Sequence, residues 1–132
     1  MADYFGHWLE MGDRLGPHAP RIFYVNWFRK SPAGKWLWPG FGDNSRVLKW
    51  MCERIEGKVG AVETPIGLMP KEGELDLNGL NIPAADLKEL LRVDADAWRA
   101  EVADIERHFS VFGKRLPERL RIQLDALRKR IG

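Results

Sequence analysis

Between Asn26 and Asn44 five large aromatics, Trp27, Phe28, Trp36, Trp38 and Phe41, are threaded among Pro32, Gly34, Pro39, Gly40 and Gly42. That mixture excludes a long helix, because proline removes a backbone donor and clashes with the preceding turn while glycine leaves the chain loose. Large rings on such a segment make stiff flat walls rather than the stripe of an amphipathic element. A planar ligand fits between walls of this kind. A purine base is the natural candidate, since stacking on an aromatic is worth about 1–3 kcal/mol per base. The segment then runs through Asp43, Asn44 and Ser45 into Val47, Leu48, Met51, Cys52 and Ile55, which recur at helical spacing. An aromatic cage is therefore expected at a helix N-terminus.

With 132 residues, 45% hydrophobic and 30% charged, the chain has the make-up of one folded domain with its own core. A net charge of +2 makes no case for nucleic acid or a membrane surface. The locally basic end, Arg119, Arg121, Arg128, Lys129 and Arg130, reads as a solvated helix face. The single cysteine, Cys52, lies on the apolar side of the expected helix and is read as a buried core thiol in a reducing compartment. No apolar run reaches membrane-spanning length, and Asp3, His7 and Glu10 stand where a signal peptide needs apolar residues. A cytoplasmic location is the expectation.

Residues 2–11 carry Tyr4, Phe5, Trp8, Leu9 and Met11 on two adjacent ridges and predict a helix that ends over Gly12 to Pro20. The β-rich run Ile22-Phe23-Tyr24-Val25 predicts a strand over 21–28, buried on both faces. Ser31-Pro32-Ala33-Gly34 is a turn signature, after which Trp36 and Leu37 return as a short strand or extended arm. A helix over 44–56 stops at Gly57. Residues 58–82 are broken by Gly60, Pro65, Gly67, Pro70, Gly73 and Gly79, leaving short strands around 64–68 and 75–77. Pro83 opens a helix through Leu87, Leu90 and Leu91, and Asp94 is placed as the N-cap of the next. There Trp98, Val102, Ile105 and Phe109 step by four, three and four residues, and Leu120, Leu124, Leu127 and Ile131 repeat those steps after Pro117. Both stripes read as helix packing. The fold expected is α+β, mostly helical with about five helices and a small sheet or ribbon drawn from 21–40 and 64–77.

Several chemistries have no footing in this chain. His7, His18 and His108 are far apart and none sits with Cys, Asp or Glu at ligand spacing, so no metal site is expected. No G-x-x-x-x-G-K-[ST] and no G-x-G-x-x-G is present to cradle phosphates. The carboxylates Asp94, Asp96, Glu101, Asp104 and Glu106 lie mostly opposite the Trp98 stripe and read as a solvated face.

The stretch Ile22 to Lys30, followed by Trp36-Leu-Trp-Pro-Gly-Phe-Gly-Asp-Asn-Ser-Arg-Val-Leu48, resembles the guanine-binding region of GTP-dependent phosphoenolpyruvate carboxykinases. The likeness continues through Arg54 to Gly57, Thr64 to Gly67, Pro70 to Glu72 and the helices of Trp98 and Leu116-Pro117, and backward to Tyr4 to Leu9. It covers essentially the whole chain and corresponds to the C-terminal part of much longer enzymes. By this resemblance residues 1–132 are the C-terminal segment of a mixed α/β nucleotide-binding domain, with the guanine pocket at 26–44 and C-terminal helices at 83–131. Met1 is then expected to mark a truncated reading frame.

What the resemblance implies is an enzyme, a carboxy-lyase of gluconeogenesis. It decarboxylates oxaloacetate and phosphorylates it from GTP, giving phosphoenolpyruvate, carbon dioxide and GDP, with manganese or magnesium as metal. The phosphate loop, the metal ligands and the substrate-holding arginines precede the region present here, so no catalytic and no metal-binding residue is expected and the chain alone is expected to be inactive. Phe28 and Phe41 would stack on opposite faces of guanine, Trp36 would close one edge, and Trp27 would back the wall. Asn44 would hydrogen-bond the base edge, and the Phe41-Gly42-Asp43-Asn44 turn would complete the reading. Trp36 replaces a phenylalanine and Tyr24 a histidine of the family pattern. From residue type alone Asn44 is an N-cap, a role compatible with base reading. Trp38 and Trp50 read as core, Arg29 and Lys30 as surface, and Arg46 as reaching either a phosphate or solvent. The partners implied are a guanine nucleotide and the rest of the enzyme in cis, in a monomer when intact, with self-association a hazard where apolar faces and sheet edges are exposed. Two other readings use the same residues. One is a single-stranded nucleic-acid module stacking bases on the aromatics; the other is a protein-docking module.

Overall fold

The computed structural model describes all 132 residues, in two compact units. The first comprises residues 1–20 and 93–132; the second is residues 21–92.

The first unit holds three helices, α1 (Ala2–Leu15), α4 (Ala95–Ser110) and α5 (Glu118–Ile131). The steps of four and three read from the sequence become one packed seam: Val102, Leu124 and Ile131 are buried, with Trp98, Ile105, Phe109 and Leu127 against them. Asp94 caps α4 as expected, its Oδ1 accepting from the Ala97 amide at 3.0 Å, which satisfies one of the helix's unpaired N-terminal donors. Pro117 directly precedes α5. Phe5 of α1 meets Phe112 edge-on at 5.8 Å, and Asp13 accepts from Arg119 at 2.7 Å. Helix α1 runs beyond residue 11 through Gly12 and ends within the expected stretch, at Gly16, whose φ is 49° and whose N–H bonds the Gly12 carbonyl. An interior glycine costs a helix only about 1 kcal/mol, too little to end it without a competing turn.

The second unit contains α2 (Asn44–Ile55), an antiparallel pair β1 (Val62–Thr64) and β2 (Gly67–Met69), and α3 (Ala84–Leu91). Thr64 pairs with Gly67 across a Pro65-Ile66 turn, and the Thr64 hydroxyl donates to the Gly67 carbonyl at 2.7 Å. The chain is thus a mostly helical α+β fold with a small sheet. Its β content is placed differently from expectation. Residues 21–28 form no strand: Ile22 and Tyr24 are 85% and 90% exposed, while Phe23, Val25 and Trp27 are half-buried, Phe23 lying edge-on to Trp50 at 6.2 Å. A β-rich sequence needs a ladder partner to become a strand, and no segment of this chain supplies one. For the same reason Leu75 to Leu77 stays irregular, although Leu75 is buried. Trp36 and Leu37 return as an arm held by a single bridge from Trp36 to Lys30, rather than as a strand.

Helix α2 also corrects the sequence reading. Its inward side carries Trp50, which is buried, while Leu48, Cys52 and Ile55 are exposed. Cys52 lies two residues, or about 200° of helical rotation, from Trp50, so burying the larger indole turns the thiol outward. Of the apolar positions expected to make core, Val47 and Met51 are half-buried, and Leu48, Cys52 and Ile55 are uncovered within this chain.

Candidate functional site

The aromatic segment is a closed loop with a defined base. Leu37 N–H donates to the Arg29 carbonyl at 3.0 Å, Ser31 N–H to Lys35 at 2.8 Å, and Gly34 N–H to Ser31 at 2.8 Å. The Ser-Pro-Ala-Gly signature is therefore a turn, and Gly34 at φ 81° supplies the left-handed residue that closes it. One end is bolted down by Arg29, which is half-buried rather than a surface residue. Its guanidinium donates to the Leu90 carbonyl (3.2 Å), the Arg92 carbonyl (2.8 Å) and Glu89 Oε1 (3.1 Å) at the end of α3. Cationic nitrogens on the last carbonyls of a helix satisfy unpaired acceptors and suit the helix dipole. Glu89, held by Arg92 first and Arg29 second, has its carboxyl lowered below the usual range.

Upon this base stand the rings. Phe28 is 73% exposed and Trp36 50%, and they meet edge-to-face at 5.9 Å. Asn26 Oδ1 accepts from the Phe28 amide at 2.9 Å, fixing the turn that presents Phe28. Lys30 Nζ sits 4.1 Å above the Trp36 ring, a cation–π contact that steadies the indole while keeping the ammonium in water. Trp27 is half-buried behind this pair in sequence. Trp38 and Leu37 are buried, Trp38 to 4% exposure.

Phe41 is the extreme case. Its ring is 98% exposed, and its backbone has φ 46°, the only non-glycine residue of the chain in the left-handed region. A bulky residue there is strained by about 1–3 kcal/mol, and burial of its ring offsets none of it. Phe41, Gly42 and Asp43 form a single 3-10 turn that leads into α2. The Asp43 amide donates to the Gly40 carbonyl at 3.2 Å, and the Ser45 hydroxyl to the Gly42 carbonyl at 2.7 Å. Asp43, not Asn44, is the residue flanking the helix, and neither side chain caps it. Asp43 instead accepts from Arg46 Nε at 2.9 Å, and Arg46 donates also to the Asp76 carbonyl at 2.8 Å. Arg46 is thus spent inside the protein, on neither of the two roles considered for it. Lys49 continues the network to Asp76 at 2.7 Å. Mutual hydrogen bonding and charge raise the Lys49 ammonium and lower the Asp76 carboxyl, with the Asn78 amide helping the latter.

Asn44 is the first residue of α2, and its Oδ1 accepts from the Trp38 indole N–H at 2.9 Å. No sequence pattern announced that bond, because Trp38 reads as an ordinary core ring. The N-cap reading of Asn44 gives way to it.

The structure therefore brings Phe28 and Trp36 together, and it joins Phe41, Gly42, Asp43 and Asn44 in one turn at the head of α2. Chemically, the arrangement offers exposed π faces and one oriented carboxamide. The Asp43 carboxylate and the Ser45 hydroxyl beside them are engaged, the first accepting from Arg46 and the second donating to the Gly42 carbonyl. A divalent metal does not fit: nowhere do three of His, Cys, Asp and Glu side chains converge to hold one. No helix is long and apolar enough to cross a membrane.

Residues 1–130 match the family described as the phosphoenolpyruvate carboxykinase C-terminal P-loop domain. The chain belongs to the phosphoenolpyruvate carboxykinase family. Similar proteins include phosphoenolpyruvate carboxykinase [GTP] of Treponema pallidum (strain Nichols), 53% identical over 134 residues covering 100% of this chain and 22% of that protein. The enzyme of the same name from Neocallimastix frontalis is 53% identical over 133 residues, covering 99% and 22%. That of Arthrobacter sp. (strain FB24) is 51% identical over 131 residues, covering 98% and 21%. The chain spans about a fifth of the length of these curated relatives.

Proposed function

We propose that this chain is the guanine-reading, C-terminal segment of a GTP-dependent phosphoenolpyruvate carboxykinase, with its pocket at residues 26–44 and supporting helices at 83–131. The observation that carries the reading is Phe41: a fully exposed ring on a strained backbone, one turn from an oriented carboxamide, contributes nothing to packing and is explained by a ligand. Phe28 and Phe41 take the two faces of the base, Trp36 one edge, and Trp27 stiffens the wall. Asn44 meets guanine O6, and the backbone of Phe41, Gly42 and Asp43 lies alongside. Glycines at 40 and 42 keep that approach clear, with nothing within 4 Å of either position where a Cβ would stand.

In the whole enzyme, oxaloacetate loses carbon dioxide and the resulting enolate takes the terminal phosphoryl group of GTP. This chain's share is to hold and select the base; charge stabilisation at the phosphoryl group falls to residues outside it. The 132 residues alone are expected to give no turnover. A cytoplasmic setting and a cis partner, the remainder of the enzyme, go with this reading. The exposed ridge Leu48, Cys52 and Ile55 and the unpaired run Ile22 to Val25 are the surfaces that suit such a partner. Single-stranded nucleic acid is disfavoured by the basic end, where Arg119, Arg121 and Arg128 are already paired with Asp13, Glu118, Glu106 and Asp125.

Titration of tryptophan fluorescence with GDP and with ADP at fixed ionic strength tests the proposal, with Trp27 and Trp36 as reporters. Two stacked faces without phosphate contacts must offset the association entropy unaided, so a Kd on the order of 1 mM for GDP is expected, with ADP weaker. Equal responses to the two nucleotides would refute guanine reading.

A further inference from the structure

We propose that Trp38 is a positioning residue for base selection: its indole N–H fixes which end of the Asn44 carboxamide faces the ligand. The inference rests on the guanine reading above. A carboxamide is nearly symmetric in shape but not in chemistry, and a half-turn of its terminal bond exchanges an acceptor for a pair of donors. Presented nitrogen-first, Asn44 donates to an oxo group such as guanine O6. Presented oxygen-first, it accepts from an exocyclic amine such as that of adenine. Asn44 therefore discriminates only if something holds it one way round.

The Trp38 indole does so. Its Nε1–H can only donate, and it lies 2.9 Å from the Asn44 terminus, so the atom facing it must be Oδ1. The flipped amide would set donor against donor beside an indole that is 4% exposed and shielded from solvent. Nothing else claims the amide: it makes no capping bond at the start of α2, and no other intramolecular partner engages it. Nδ2 is accordingly the atom left for the ligand. Burial by itself does not require the bond, for the Trp50 indole N–H is buried in the same unit with no partner.

The test uses the full 132-residue chain and two readouts. In nitrogen–proton spectra without nucleotide, Asn44→Ala should move the one indole resonance that Trp38→Phe deletes and speed its exchange with water. In titrations with GDP, IDP and ADP, Trp38→Phe keeps an aromatic ring but loses the N–H. It should weaken GDP and IDP, which share the O6 acceptor, by about three- to tenfold, the worth of one oriented hydrogen bond. ADP should change less than about twofold, or tighten, as the amide becomes free to flip. Asn44→Asp, which keeps an acceptor toward Trp38 and loses the donor, should abolish the preference for GDP and IDP. Equal losses for all three nucleotides would reduce Trp38 to a packing role and overturn the inference, as would an indole resonance indifferent to Asn44→Ala. A wild-type chain binding GDP no better than ADP would instead refute guanine reading itself. A discriminating wild type with an unchanged Trp38→Phe profile would refute only the role of Trp38.

Discussion

Two aromatic-bearing regions of this chain behave in opposite ways. On α4, Trp98 and Phe109 share a stripe with Val102 and Ile105 and pack with Leu124, Leu127 and Ile131 of α5. In the loop at 26–44, Phe28, Trp36 and Phe41 turn outward, while Trp38, two residues from Trp36, is buried. Ring chemistry is common to both; what differs is the backbone beneath. A helix repeating every 3.6 residues gathers its apolar side chains onto one face, and a second helix covers them. A loop pinned by turns presents its rings one at a time, and only a partner can cover them.

The contrast can be broken most directly by truncation in each region. Leu124→Ala should cost about 2–4 kcal/mol of stability, through lost transfer energy and the cavity left in the seam between α4 and α5. Phe28→Ala should cost about 1 kcal/mol, mainly the edge-to-face contact with Trp36, yet it should weaken GDP by about five- to a hundredfold through a lost stacking face. Chemical denaturation and nucleotide titration on the same two variants measure both effects. A marginal Leu124→Ala, or a Phe28→Ala that unfolds the chain while sparing binding, would reverse the distinction.

Phe41→Gly sharpens the same point from the side of strain. Glycine adopts the left-handed region freely, so stability should hold or rise by up to about 1 kcal/mol while GDP binding falls. A clear loss of stability, measured by thermal unfolding, would mean the ring packs on the protein after all.

The smallest effect expected is on pH. The Asp76 carboxyl is lowered by its hydrogen bond with Lys49, the Asn78 amide and the Lys49 charge. A carboxylate whose folded pKa is depressed contributes stability above its unfolded value of about 3.9 and loses that contribution as pH falls toward the folded pKa. Glu89 is lowered in the same sense at the base of the loop. Stability measured from neutral pH downward should therefore stay flat with respect to these groups until about pH 4 and decline below it. Asp76→Asn should remove part of that decline. An Asp76 resonance titrating at or above the ordinary carboxylate value would contradict the network.

The helices were legible because each carries its own evidence. Asp94 caps α4 and Pro117 precedes α5 as the local chemistry of those residues predicts. The stripes on α4 and α5 needed no knowledge of what they pack against. Ser31 to Gly34 announced a turn for the same local reason. The run at 22–25 misled because strand formation depends on a neighbour, and intrinsic β preference cannot supply one. Cys52 misled because five apolar positions on α2 compete for a face that the Trp50 indole fills.

At the candidate site, sequence determined which residues are present: the rings, the glycines that keep the backbone clear, and a carboxamide at the head of α2. Family membership follows from that sequence as well, since the match runs through residues 1–130. The core reading of Trp38 holds, with the ring 4% exposed against 50% for Trp36, but only the tertiary structure decided that Arg46 closes on Asp43 and Asp76 and that the Asn44 amide turns its oxygen to the Trp38 indole. The reason is the range of the interactions. Propensity, caps and turns act over a few residues and are written in the chain, whereas the direction of a side chain is settled by neighbours that come together only on folding.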